Sequence, residues 1–158
     1  MKKIKNIGLL LFLILSTLSF SYQVNYDDMV DIVLRNYPQS RVTKIEISNY
    51  KGKTVYEGET FNKGQKIEFI IDVNTGEVYK MDPNYDDEYN PSYNLPITFE
   101  QASRIALDNS FNGRVKSIEL KNIDKKAYYT VEVKEDKSEK EINIDANSGK
   151  ILTIKESM

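Results

Sequence analysis

The sequence predicts an α+β fold built from two tandem repeats, each one helix packed on a three- to four-stranded antiparallel β-sheet. Two observations lead there: segments that recur at one constant offset, and a capped helix followed by alternating strands in each copy. Arg41-Val42-Thr43-Lys44-Ile45-Glu46-Ile47 recurs as Arg114-Val115-Lys116-Ser117-Ile118-Glu119-Leu120, and Ile71-Asp72-Val73-Asn74-Thr75-Gly76 as Ile144-Asp145-Ala146-Asn147-Ser148-Gly149. Both pairs share an offset of 73 residues with no gap. Ile32, Leu34, Asn36, Asn49, Tyr56, Glu59 and Glu68 recur in the same frame as Ile105, Leu107, Asn109, Asn122, Tyr129, Glu132 and Glu141. The repeats are bounded at Val24–Asp82 and Ile97–Lys155, with residues 83–96 as a linker.

Each copy opens with a helix. Asn25 with Asp28, and Thr98 with Gln101, have the spacing of a capping box, in which cap and third helical residue satisfy each other's backbone N–H. Met29, Val30, Val33 and Leu34 form one apolar side; Ala102, Ile105 and Ala106, continuing to Asn109, form its counterpart. Pro38 stops the first helix, and Gly113 lies just beyond the second.

Strands follow. Ile118 and Leu120, then Tyr129, Val131 and Val133, then Ile142, Ile144 and Ala146 alternate with polar residues, the pattern of a sheet dry on one face and wet on the other. A last strand runs from Ile151 to Ile154 after the Asn147-Ser148-Gly149 turn. In the first copy Ile67, Phe69, Ile71 and Val73 keep the phase. Its second strand is weaker: Gly58 stands where Val131 does, and Val55 and Phe61 are out of phase, which predicts a bulge or a shorter strand.

The N-terminus reads as a Sec signal peptide over residues 1–21. Lys2, Lys3 and Lys5 precede an apolar run from Ile7 to Leu15, and Ser19-Phe20-Ser21 offers a small-x-small cleavage site, so the expected location is secreted, periplasmic or extracellular. The run is short for a membrane span, and no stable membrane insertion is expected after cleavage. Loss of the three lysines takes the formal charge from −2 to −5, which leaves no electrostatic footprint for nucleic acid. The sequence has no cysteine, hence no lipid attachment at a lipobox and no disulfide. Modules of about 60 residues bury little surface, so two packed together are safer than either alone.

With neither histidine nor cysteine, a Ser-His triad, a thiolate nucleophile and a His- or Cys-based zinc site are all excluded. No spacing of carboxylates, Lys, Ser or Tyr makes a recognisable motif, and the chain reads as non-enzymatic with no cofactor.

The helix core from Ala102 to Leu107, the Gly113-Arg114-Val115 entry to a strand, the aromatic strand Tyr128-Tyr129-Thr130-Val131-Glu132-Val133 and the ending Ile144-Asp145-Ala146-Asn147-Ser148-Gly149-Lys150-Ile151-Leu152 resemble the PepSY domain family. The ending is the most specific part, since such modules commonly close on an Asp-x-x-[Thr/Ser]-Gly hairpin. The first copy departs from the pattern: it lacks the alanine pair and carries a polar, insertion-like stretch at Lys63-Gly64-Gln65. The resemblance implies helix-on-antiparallel-sheet modules of the kind found in propeptides of secreted metallopeptidases and in bacterial envelope proteins. It implies no catalytic residue, and a role in inhibiting or chaperoning peptidases.

Asp72 to Gly76 and Asp145 to Gly149 place oxygens at alternate positions, as a calcium loop does. Without a bidentate Glu at EF-hand spacing they read as hairpin turns, with Asp72 and Asp145 accepting local N–H groups and Gly76 and Gly149 left-handed. The Lys134 to Glu141 charges read as a solvated hairpin tip. The linker interleaves Tyr85, Asp86, Asp87, Tyr89 and Tyr93 with two prolines, a connector that could also present tyrosine anchors to a basic partner. Tyr128, on a wet face, joins them as a candidate protein-binding residue. The leading expectation is a protein-binding envelope module acting on an envelope or secreted protein, a peptidase among the candidates. The alternative is a small-ligand or calcium-binding protein, with Asp82, Asn84, Asp86 and Glu88 as cation ligands.

Overall fold

The computed structural model describes residues 23–84, 95–123 and 126–158. Helix α1 (Tyr26–Asn36) precedes strands β1 (Arg41–Tyr50), β2 (Lys53–Asn62), β3 (Gln65–Asp72) and β4 (Val78–Asn84). Helix α2 (Phe99–Asp108) precedes β5 (Arg114–Ile123), β6 (Lys126–Lys134), β7 (Glu139–Asp145) and β8 (Ile151–Ser157). Each repeat is therefore one helix and four strands. The sequence leaves open whether the two sheets join, and they do: β1 pairs with β5, so in place of a three- to four-stranded sheet per repeat all eight strands form one antiparallel sheet in the order β4-β3-β2-β1-β5-β6-β7-β8.

The joint is short and symmetric. Ile45 faces Ile118, flanked by Lys44 opposite Glu119 and Glu46 opposite Ser117. Ile118 is the counterpart of Ile45 at the 73-residue offset, so a local twofold axis passes between the two isoleucines, an isologous contact within one chain. Both are fully buried. The helices meet across the same axis, N-terminus to N-terminus. Asp27 accepts hydrogen bonds from the Thr98 hydroxyl (3.2 Å) and the Glu100 N–H (3.4 Å), while Glu100 accepts one from the Tyr26 N–H (3.4 Å). Asp27 and Glu100 are also repeat counterparts. Each acid thus caps the other repeat's helix, where unpaired N–H groups and the helix dipole favour negative charge.

The other local contacts recur as well. Both capping boxes form. The Tyr56 hydroxyl donates to the Val24 carbonyl and the Tyr129 hydroxyl to the Ile97 carbonyl, each at 2.7 Å. Tyr56 packs on Tyr26 and Tyr129 on Phe99, with ring centroids 5.3 and 5.1 Å apart. Burial pushes the Tyr56 hydroxyl up to about 12, so it stays a donor at any ordinary pH. The Asn36 and Asn109 side chains donate to the Ile32 and Ile105 carbonyls, each at 2.8 Å, satisfying helix C-terminal acceptors. Asn109 is thus an exposed cap, not an extension of the apolar face; the small buried residue missed there is Ser103. Register breaks recur at Val42/Lys44 and Val115/Ser117, and at Ile70/Ile71 and Asn143/Ile144.

The weak second strand of the first repeat is full length, and the irregularity lies across from it, in β1. Gly58 faces Phe69 where Val131 faces Ile142. Phe69, fully buried, fills the space the glycine leaves: a Cβ on Gly58 would lie 2.6 Å from the Phe69 ring and collide with the Lys44 carbonyl oxygen. The polar stretch after β2 is a two-residue hairpin turn with positive φ at Lys63 and Gly64, like Lys51-Gly52, the geometry that matches strand twist. One continuous core runs beneath both helices.

Phe69→Ala should lower stability by about 3–5 kcal/mol in denaturant unfolding. Gly58→Ala should also destabilise, and Phe69→Ile should not rescue it, because the Lys44 carbonyl is backbone and cannot move aside. Full rescue would show that the ring alone sets the constraint.

Candidate protein-binding face

Both helices lie on one face of the sheet. Among the described residues no helix covers the other, and most side chains there are exposed or half-exposed, with Val55, Ile70, Asp72 and Thr130 buried by their neighbours. Its surface is laid with ion pairs: Lys80 with Glu68 (3.2 Å), Lys66 with Glu59 (3.5 Å), Lys121 with Glu119 (3.1 Å) and Lys155 with Glu141 (3.0 Å). Exposed pairs of this kind contribute about 0–1 kcal/mol each. They intersperse lysines among acids that otherwise stand opposite one another, Glu46 facing Glu57 and Glu59, Glu68 and Asp82 lying in one row across β2, β3 and β4.

The two halves of this face differ. In the first repeat Val55, whose phase looks wrong for a helix-side residue, belongs to this face and is buried there. Beside it Asp72 accepts from the N–H groups of Asn74 (2.8 Å) and Thr75 (3.0 Å) and from the Tyr79 hydroxyl (2.7 Å). Lys53 donates to the same hydroxyl, and Tyr79 stacks on Tyr50 at 5.8 Å. The Tyr79 bond, more than the backbone ones, holds the Asp72 carboxyl below its ordinary range. Nothing in the spacing announces this knot; its one signal is that Tyr79 stands where the second repeat has Leu152.

In the second repeat Asp145 accepts from the N–H groups of Asn147 (3.1 Å) and Ser148 (2.8 Å) and from the Ser148 hydroxyl (2.7 Å). Gly76 and Gly149, at φ +71° and +73°, close the two turns. A polar row crosses three strands: Thr130 donates to Asn143 and Asn143 to Thr153, each at 2.8 Å. Tyr128 is half-buried on β6, in register with Lys121 on one side and Asp145 on the other. Tyr85, Asp86, Asp87, Tyr89 and Tyr93 lie outside the described residues, as does Glu88, so of the binding candidates only Tyr128 can be placed. Asp82 and Asn84 fall in β4. No group of three potential metal ligands occurs among the described residues.

A family model matches residues 23–82 and 96–155, one match on each helix-plus-four-strand repeat, under the description "Peptidase propeptide and YPEB domain", PepSY. The chain belongs to the PepSY family. A crystal structure from Clostridium difficile 630, described as a candidate lipoprotein, is similar to this tandem PepSY chain, with 24% identity, a TM-score of 0.61, and coverage of 86% of this chain and 95% of that one. The Bacillus megaterium YpeB C-terminal domain is a weaker likeness, with 14% identity and a TM-score of 0.35, covering 85% of this chain and 66% of that one. No curated protein matches the sequence significantly. No described helix of this PepSY chain is long and apolar enough to cross a membrane.

The hairpin between β6 and β7, expected as a solvated tip, is a built corner. Glu135 and Lys140 pair at 2.8 Å with side chains only 10% and 17% exposed, and Glu135 also accepts from the Phe111 N–H (2.7 Å) and the Ser138 hydroxyl (2.8 Å). Lys140 takes the position of the buried Ile67 in the first repeat, so an ion pair closes the second core where an aliphatic side chain closes the first.

These contacts, the Lys140 bond first, pull the Glu135 carboxyl down to about 2. A carboxyl held below its unfolded value of about 4.3 stabilises the fold fully above that pH and loses the contribution as pH falls toward 2. Asp72 and Asp145 are shifted in the same direction. The melting temperature should therefore fall as pH drops from about 4.5 to 2. Glu135→Gln should melt lower at pH 7 and lose less of its stability over that acid range. An unchanged acid slope in the variant would remove Glu135 from the account.

Proposed function

We propose that this PepSY protein is a non-catalytic protein-binding module that works outside the cytoplasm and docks its partner on the free face of the eight-stranded sheet. The observation that carries the reading is the joining of the two repeats through β1 and β5, which makes one broad face where separate modules would present two small ones. The face interleaves lysines with acids, so it suits a partner that brings its own pattern of charges together with apolar anchors. Tyr128, in register between a lysine and an aspartate, is the aromatic anchor such an interface uses. The family's description points to a peptidase as the partner class, and the signal-peptide pattern of residues 1–21 supports export to where such enzymes act. Binding then needs no covalent chemistry: a preformed surface covers the enzyme or holds it in place.

Immobilised protein should retain a saturable partner from the extracytoplasmic fraction of the source cells, and Tyr128→Ala combined with Lys121→Glu should weaken that binding about tenfold or more. Arg104→Ala, on the outer side of α2, should leave it unchanged. Retention that resists the paired face substitutions, or depends equally on Arg104, refutes the proposed surface.

A further inference from the structure

The two outer edges of the sheet are not alike. On β4 most of the edge is engaged, Val78 at its start being 37% exposed. Tyr79 folds over the free face onto Asp72 and Tyr50, the Tyr37 hydroxyl donates to the Met81 carbonyl at 3.4 Å, and Pro83 removes a backbone donor. Proline and covered side chains are how an edge is kept from pairing with another chain. On β8 the same positions carry Leu152, Ile154 and Glu156, and Tyr37 is replaced by Ser110. Leu152 is 51% and Ile154 47% exposed: Ile154 pairs with the buried Ile142 on the helix side, and Leu152 sits in the register break, at the position from which Tyr79 reaches over the free face in the first repeat. A strand added at this edge would bring side chains against both.

We infer that β8 is a self-association edge, pairing antiparallel with β8 of a second copy of this chain about a twofold axis at Ile154. The chain itself shows which sequence forms such a contact. At the internal joint, Lys44-Ile45-Glu46 meets Ser117-Ile118-Glu119 with isoleucine opposite isoleucine on the helix side and polar residues paired on either flank. Thr153-Ile154-Lys155 repeats that pattern on β8, the isoleucine again on the helix side. A twofold axis normal to the sheet keeps each residue on its own face, so only registers that pair like-facing residues are allowed. Centring on Lys155 sets two lysines opposite each other, which is unfavourable. Centring on Thr153 puts Ile154 against the irregular position of Leu152 and Lys155 against Ile151. Centring on Ile154 pairs isoleucine with isoleucine and each Thr153 with the other copy's Lys155, with no like charges opposed. The product is a sixteen-stranded sheet with all four helices on one side and the free face doubled in width. The β8 edge has seven residues, fewer than a stable interface of about 1,200 Å² needs, so the dimer is weak and concentration-dependent.

Sedimentation velocity from about 10 μM to 1 mM reads the assembly directly, spanning the range expected for an interface this small. The protein should shift from one chain to two. Ile154→Glu and Ile154→Lys should each remain monomeric with unchanged circular dichroism, and an equimolar mixture of the two should recover the dimer. The natural chain has no cysteine, so Ile154→Cys supplies an independent probe that keeps an uncharged side chain. Under mild oxidation by copper-phenanthroline it should cross-link quickly, and Glu156→Cys should not. A wild-type protein monomeric throughout the range would overturn the inference and leave the edge to a strand from a different protein. Dimers that survive both charged variants, or cross-link equally at position 156, would overturn the register.

Discussion

Everything in this molecule hangs on three residue pairs. The β1–β5 joint is narrow compared with the nine-residue pairings of β1 with β2 and β5 with β6. Yet it decides whether the protein is two small modules or one sheet. Its centre, Ile45 on Ile118, is shut off from water on the helix side, and the exchange of caps between Asp27 and Glu100 fixes the helices over it. A helix N-terminus facing another would be repulsive if left bare, because both ends carry partial positive charge. The crossed acids turn that liability into an attachment. Replacing either one exposes both the dipole conflict and an unpaired N–H.

A module of about 60 residues with no disulfide and, among its described residues, no cluster of potential metal ligands has little surface to bury. Fusing two sheets edge to edge hides one edge of each and lets the helices share a core, so the joint supplies stability that neither repeat has room to build. The same logic explains why the contacts along the axis and at the helix starts recur so faithfully. Tyr56 and Tyr129, the two capping boxes, the Asn36 and Asn109 caps and the paired register breaks all hold a helix at a set height above the sheet. A change in one would tilt its helix away from the other's acid.

Much of this was legible in the sequence because the repeats read each other. The constant offset exposed the helix starts, the period-two strands and the turns at Gly76 and Gly149, since each follows from local chemistry present twice. The union of the sheets was not legible: edge pairing depends on which strand lies outermost, and no residue of Lys44-Ile45-Glu46 distinguishes a sheet edge from a sheet centre. Gly58 misled for a related reason. Its missing volume is supplied by Phe69, eleven residues on and in the next strand, and strand propensity weighs each residue alone. Val55 was out of phase only on the assumption that the free face holds no buried groups. The Asp72–Tyr79–Lys53 knot breaks that assumption. Five of the six candidate binding residues sit in the linker, outside the described residues, which leaves Tyr128 as the part of the candidate site that the structure can place.

The divergence between the two copies separates what the scaffold requires from what is free to change. Around the axis and beneath the helix starts, counterparts are the same or similar: Val42 and Val115, Ile45 and Ile118, Ile71 and Ile144. On the free face they part: Val55 against Tyr128, Ile70 against Asn143, Ser48 against Lys121, Tyr79 against Leu152. Folding alone asks of a solvated strand face only that it be polar enough to stay soluble and neutral enough not to repel itself. The ion pairs meet that demand in both halves, so they do not account for the difference. The first half is tied down by its tyrosine knot, while the second offers a half-buried tyrosine and a polar row that runs from β6 to the edge strand β8. The docking proposed for this face therefore concentrates on the second repeat, with the first acting as the rigid flank that holds it in shape.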